Sequence, residues 1–268
     1  LFTQAIRKQK TNWNRINKMT EILILDYNRP QELLALLLSI KKNARFDKKV
    51  VVLNNGGEKY ADQFLESGMC DRVIHNAINI GCGAGTVQLF SQCQSDFAFY
   101  IQVDHSLETI ITQSMIETFK NDIIIEGNFY VDLAGDQGHG QYSERAQFIR
   151  RSDYLIAQKD FGGPGPLADQ RWTEESIREY MDKEMCFFKS YFMFKDCGWD
   201  SVRENPDGSL WKHHPDTKQL FCLKAPKEKF VYPKLTDEEW KEAIAGNWTS
   251  GKIPEKEKES SFQHWNEI

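Results

Sequence analysis

The sequence predicts an α/β fold: a mostly parallel central sheet flanked by helices, with a small antiparallel part in the second half. Three observations carry this. Short apolar runs that end in polar residues alternate with helix-patterned segments from residue 21 to about residue 121. Such alternation means β-α-β units, a parallel sheet and helices on both faces. Beyond about residue 122 the alternation gives way to strand-like runs around polar loops.

The run "EILILDY" (Glu21 to Tyr27) has the length and apolarity of a buried strand. In "NRP", Asn28 is suited to capping and Pro30 to a first helical turn, so "QELLALLLSIKKNA" is expected to be an apolar helix. "KKVVVLNNGG" (Lys48 to Gly57) predicts a second strand. "EKYADQFLESG" then has helical spacing and a terminating Gly68. "RVIH" (Arg72 to His75) predicts a third strand, "NINIGCGAG" a Gly-rich turn and "TVQLFSQCQ" a helix. "FAFYIQV" predicts a fourth strand and "TIITQSMIETFKN" another helix.

In the second half, "DIIIEGNFYVDLAG" and "AQFIRRSDYLI" are expected to be strands around a polar loop. "FGGPGPLADQRW" is a Gly/Pro-rich loop, and "TEESIREYM" a helix opening with a capping box. "MCFFKSYFMFKDCGWD" predicts a strand followed by a short helix or turn, and "KFVYP" a late strand. The expected organisation is an N-terminal appendage over 1–18, a main domain over 19–235 and a charged C-terminal extension over 236–268.

Composition narrows the function. The 268 residues are 40% hydrophobic and 27% charged, enough for a real core, with a formal net charge of −5. That charge argues against nucleic acid as a partner, and no apolar run is long enough to span a membrane. The six cysteines form no C-x-x-C pair, which argues against a zinc cluster. Reduced thiols in the cytoplasm are the expectation.

In open α/β sheets ligands bind at the carboxyl ends of the strands. Polar clusters fall at those ends: Asp26, Tyr27, Asn28 and Arg29; Asn54 and Asn55; Asn79 and Gly81; and Gln102 to Ser106. Within the last, Asp104 has three possible roles: metal ligand, ribose ligand, or cap of a helix after Glu108.

Four of these segments resemble, in order and spacing, the motifs of family-2 glycosyltransferases with the GT-A fold, a Rossmann-like nucleotide-diphospho-sugar transferase fold. They are "ILILDYNRPQELLALLLSI", "VVVLNNGG", "NIGCGAG" and "DFAFYIQVD". Asn54 stands where the family usually has Asp, and Gln102 replaces the first acid of its Asp-x-Asp motif. The resemblance covers roughly residues 20 to 120. It implies a nucleotide-binding half over 19–121 and an acceptor half over 122–235.

The implied activity is a hexosyltransferase-like transfer from a UDP-, GDP- or dTDP-sugar to a glycan, lipid or protein, inverting and assisted by Mn²⁺ or Mg²⁺. The implied nucleotide-sugar ligands are Asp26, Tyr27, Asn28, Arg29, Asn54, Asn55, Asn79, Gly81, Gly85 and Gln102. Asp104 and His214 are the implied metal ligands. Asp216, with Asp200 and Asp169 as alternatives, is the candidate base that deprotonates the acceptor hydroxyl. Two other readings stay open. "GCGAGT", with Asp104 about 20 residues on, has features of an NAD(P)-binding Rossmann oxidoreductase. The Gln102 and Asn54 replacements fit a degenerate, non-catalytic binding protein.

Overall fold

The computed structural model describes residues 19–56, 59–77, 79–135, 145–161, 170–196, 203–204, 210–213 and 220–224. Its first half runs β1 (Thr20–Asp26), α1 (Pro30–Asn43), β2 (Ala44–Arg45), β3 (Lys48–Asn54), α2 (Ala61–Glu66), β4 (Arg72–His75), α3 (Cys82–Gln92), β5 (Phe97–Gln102), β6 (His105–Leu107), β7 (Ile111–Thr112) and α4 (Gln113–Ile124). The second half runs β8 (Asn128–Asp132), β9 (Gln147–Arg150), α5 (Arg151–Phe161), α6 (Gln170–Lys183), β10 (Phe187–Ser190), β11 (Phe194–Asp196), β12 (Arg203–Glu204), β13 (Leu210–His213) and β14 (Leu220–Lys224).

The central sheet has seven strands in the order β10-β8-β9-β5-β1-β3-β4. Strand β1 pairs in parallel with β3 and with β5, and β3 in parallel with β4. Only β9 runs against its neighbours in this sheet, pairing antiparallel with β5 and β8. The expected antiparallel part appears there and in the small sheet β12-β13-β14.

Strand side chains alternate between the two faces, so each strand feeds two cores. Ile22 and Ile24 of β1, Val50 and Val52 of β3, and Phe99 and Ile101 of β5 pack with Leu33, Leu36, Leu37 and Ile40 of α1 and with Ile116 and Phe119 of α4. The intervening Leu23, Leu25, Val51, Leu53, Ala98 and Tyr100 pack with Val87 and Phe90 of α3, Tyr154 of α5 and Met181 of α6. The result is a helix–sheet–helix sandwich, as the alternating pattern predicted. Among the described residues no helix is long and apolar enough to cross a membrane.

Several boundaries depart from the sequence expectation. The Gly-rich segment is a turn only as far as Gly81, and Gly83 and Gly85 lie inside α3. Asp122 to Ile124 close α4 instead of opening a strand, because Ile116, Phe119 and Ile123 form one buried helical stripe. The β-branched Ile111 and Thr112, expected in that helix, instead pair with Ala44 and Arg45. Residues Arg151 to Ile156 turn from strand into helix, where Tyr154, Ala157 and Gln158 share a buried face. Helix α6 starts at Gln170, so Thr173 lies within it rather than ahead of it. The segment around Phe187 to Asp196 makes two strands, with no helix between them. "KFVYP" lies outside the described residues.

Gly85 lets α3 approach the sheet closely. A Cβ there would stand 2.7 Å from Leu25 Cδ1, 3.3 Å from Asn55 Nδ2 and 3.4 Å from Leu53 Cδ2. Gly85→Val forces at least this overlap into a close-packed layer and is expected to cost about 2–3 kcal/mol. Urea unfolding checks it: a wild-type midpoint in the variant would mean that the layer gives way freely.

Candidate functional site

The register of the parallel strands assembles the site. Asp26 of β1 lies opposite Asn54 of β3, Asn54 lies opposite His75 of β4, and Leu25 lies opposite Gln102 of β5. The last residues of four strands therefore share one sheet edge. The chain leaves β4 on one side of β1 and enters β5 on the other, which opens a crevice at the carboxyl ends.

At the end of β1 the Asp26 side chain is buried, and its Oδ2 accepts a short hydrogen bond from the Tyr60 hydroxyl. The Tyr60 oxygen in turn accepts the Arg29 backbone N–H at 2.8 Å. Oδ1 of Asp26 is buried without a hydrogen-bond partner among the described residues. Burial pushes the Asp26 carboxyl up from 3.8 to about 6, against the opposing pull of the Tyr60 hydrogen bond and the Arg29 charge. Next to it, Tyr27 is half-buried and Asn28 exposed, with Asn28 in the left-handed region at φ 51°, where Asn is well tolerated.

Arg29 precedes α1 as its N-terminal flanking residue, and its Nη1 reaches across the crevice to Asp104 Oδ2 at 3.2 Å. Asp104 lies two residues past the end of β5; its Oδ1 lies 3.1 Å from Nδ1 of the buried His105. His105 Nε2 is buried with no hydrogen-bond partner among the described residues. The capping role open to Asp104 is not the one it takes, because the next helix starts only at Gln113 behind Thr112. Gln102 turns its amide nitrogen toward Cys82 Sγ at 3.8 Å.

The second cluster is a hydrogen-bond hub. Asn55 donates to Asn79 Oδ1 at 3.0 Å and to the Gly81 carbonyl at 2.9 Å. Its oxygen accepts from Asn76 Nδ2 at 3.0 Å and from the Ile80 N–H at 3.2 Å. Asn76 exchanges two further bonds with Gln88 of α3. Asn55 and Asn79 thus fix the turn that launches α3, with Gly81 at φ 87° completing it. The Asn55 amide has no spare donor for a ligand, and Gly85 faces Leu25 and Leu53 rather than the crevice. Asn54 turns its amide toward His75 Nδ1 at 3.4 Å, and His75 Nε2 lies 2.7 Å from Asp62 Oδ1.

Of the expected site residues, Asp26, Tyr27, Asn28, Arg29, Asn54, Gln102 and Asp104 converge on this edge. Asp169, Asp200, His214 and Asp216 lie outside the described residues. The candidate ligand set drawn from the sequence left out Tyr60, His75, Asn76 and, although it lies in the Gln102 to Ser106 cluster, His105. Tyr60 and Asn76 sit in ordinary helix and turn sequence, so only their contacts mark them. His105 directly follows Asp104 and carried a readable signal.

The donor set bears on a divalent cation. The described residues contain no group of three or more His, Cys, Asp or Glu side chains placed to hold a metal ion. One carboxylate, Asp104, and one amide, Gln102, nevertheless suit an Mg²⁺-type site completed by substrate phosphates.

Two outcomes are expected. Asn55→Ala strands the Asn76 amide, the Ile80 N–H and the Gly81 carbonyl; at about 1–3 kcal/mol for each group left unpaired, the loss is expected to exceed about 2 kcal/mol in urea unfolding. Asp26 makes stability pH-dependent. The folded carboxyl keeps its proton up to about pH 6, whereas the unfolded one loses it near 3.8. Its contribution therefore falls as pH rises between these values and is flat above them. Asp26→Asn is expected to raise stability at pH 7 relative to pH 4 by roughly 2–3 kcal/mol compared with wild type. Parallel profiles for the two proteins would contradict the raised value.

A family model described as glycosyl transferase family 2 matches residues 21–169. No curated protein matches the chain. Among solved structures, S. aureus TarS is similar at 14% identity and a TM-score of 0.47, over 66% of this chain and 36% of that one. TarS 1–349 in complex with UDP gives 14% identity and a TM-score of 0.46, over 66% of this chain and 60% of that one. TarS 1–349 in complex with UDP-GlcNAc gives 14% and 0.45, over 66% and 58%. This chain thus spans less than two thirds of the length of those chains. The family match covers more than half of the sequence and contains every strand of the crevice, and the chain belongs to glycosyl transferase family 2.

Proposed function

We propose that the protein transfers a sugar from a nucleoside diphosphate sugar (UDP-, GDP- or dTDP-linked) to a glycan, lipid or protein acceptor, with inversion. The supporting observation is the row of polar side chains at the carboxyl edge of β1, β3, β4 and β5, within a chain of this family. The acceptor oxygen attacks the anomeric carbon, the bond to the diphosphate oxygen breaks, and the diphosphate leaves with the electron pair. The acceptor proton passes to a carboxylate base, for which Asp216 is our assignment, with Asp200 and Asp169 next.

Asp26, Tyr27, Asn28 and Asn54 line the edge where the nucleoside would lie, and the Arg29 guanidinium is the described cation placed to pair with the diphosphate. Asp104, with the Gln102 amide oxygen and His214, would hold Mn²⁺ or Mg²⁺, which would offset charge on the departing diphosphate. The dinucleotide reading has no support in the local geometry. The first strand-to-helix turn, Tyr27 to Arg29, has no glycine, and the glycines of "GCGAGT" after Gly81 are helical.

Donor hydrolysis and transfer across a nucleotide-sugar panel, with and without EDTA, test the proposal. Asp216→Asn is expected to lower kcat by about 10²–10⁴ with unchanged donor binding, the range of a lost general base. Proton NMR of the product is expected to show an inverted anomeric centre. A chain that binds no nucleotide and transfers nothing would be a non-catalytic relative.

A further inference from the structure

Arg29 and Asp104 stand on opposite sides of the crevice, one after β1 and the other after β5. Their 3.2 Å contact is largely withdrawn from solvent, with side-chain exposures of 17% and 8%. Both ends are held. The Arg29 backbone N–H is tied to Tyr60 and its carbonyl accepts the Leu33 N–H of α1 at 2.9 Å, while Asp104 also contacts His105. The pair bridges the two sides of the edge.

A guanidinium and a divalent cation compete for the same carboxylate oxygen, and at that separation they repel each other. A diphosphate changes the balance, since a guanidinium pairs with its oxygens in a two-pronged geometry. We infer that Arg29 stands in for the cation in the free protein. It occupies Asp104 until a nucleoside diphosphate draws the guanidinium away, so the divalent cation enters with or after the nucleotide and not before. This rests on reading the edge as a nucleotide-sugar site. It assigns to Arg29 a positioning role that a surface ion pair would not have: it sets the order of binding. The Gln102 replacement reinforces it, because a site with one acid fewer holds a lone cation more weakly and leaves Arg29 the stronger competitor.

The test titrates Mn²⁺ alone into the full chain and reads bound ion from the loss of the free Mn²⁺ EPR signal. Wild type is expected to leave the signal nearly intact. Arg29→Gln is expected to bind Mn²⁺ about tenfold tighter, as removal of one neighbouring positive charge implies. Arg29→Lys keeps the charge and is expected to follow wild type, and Arg29→Gln with Asp104→Asn is expected to lose the gain. Circular dichroism confirms that each variant is folded. Calorimetry with UDP, GDP and dTDP in EDTA is expected to show at least one binding wild type, and binding Arg29→Gln about tenfold more weakly, the loss of one charge-assisted pair. Equal Mn²⁺ affinity of nucleotide-free wild type and Arg29→Gln overturns the inference while nucleotide binding persists. Failure of all three nucleotides to bind wild type, with or without Mn²⁺, overturns the transferase reading and this inference with it.

Discussion

The parallel pairing of β1 with β3 on one side and β5 on the other is the constraint from which the rest of the molecule follows. Every residue of β1 is buried, so both of its faces must be covered and both of its edges paired. Ile22 and Ile24 demand the α1 layer, and Leu23 and Leu25 demand the α3 layer. With β1, β3, β4 and β5 running in one direction, their polar ends cannot be spread around the molecule. They emerge together at one edge, and the reversal of strand order between β4 and β5 opens a crevice beside β1.

The edge so formed has two parts with different physics. Around Asn55 the side-chain hydrogen bonds are saturated: Asn76, Asn79, Ile80 and Gly81 close on Asn55, and Gln88 closes on Asn76. Around Asp26, Arg29 and Asp104 the groups are charged or titratable, and each contacts a neighbour beside or across the crevice. Asp26 keeps an unpartnered oxygen among the described residues and a raised carboxyl. Arg29 and Asp104 spend their charges on each other. A hydrogen-bonded frame beside the Arg29–Asp104 ion pair is the arrangement on which our proposal for these two residues rests.

Much of the architecture was legible in the sequence because burial on both faces leaves a strong pattern. The runs before Asp26, Asn54 and Gln102 are apolar at both odd and even positions, which marks strands buried from both sides. The reading failed where a local pattern was ambiguous. "DIII" looks like a strand, but Ile123 alone faces the core, while Ile124 and Ile125 are exposed and close a helix. Gly83 and Gly85 look like a turn, yet their lack of side chains serves close helix–sheet packing. Of the site, the residues at strand ends were legible from spacing. Tyr60, Asn76 and His75 were not, because they become partners of Asp26, Asn55 and Asn54 only after β3 and β4 are laid beside β1.

By itself the sequence determined the alternation of strands and helices, the location of polar groups at strand ends, and the two positions where family acids are replaced by Asn54 and Gln102. These are consequences of periodicity and composition, which act along the chain. The tertiary structure alone decided which of those polar groups serve the frame and which face one another across the crevice. Asn55 and Gly85 went to the frame because the Asn55 side chain is fully hydrogen-bonded and Gly85 is closely packed, and Asn79 joins them by accepting from Asn55 and Gly81. Arg29 and Asp104, 75 residues apart in sequence, became a pair because three successive crossovers through β3 and β4 bring the ends of β1 and β5 side by side.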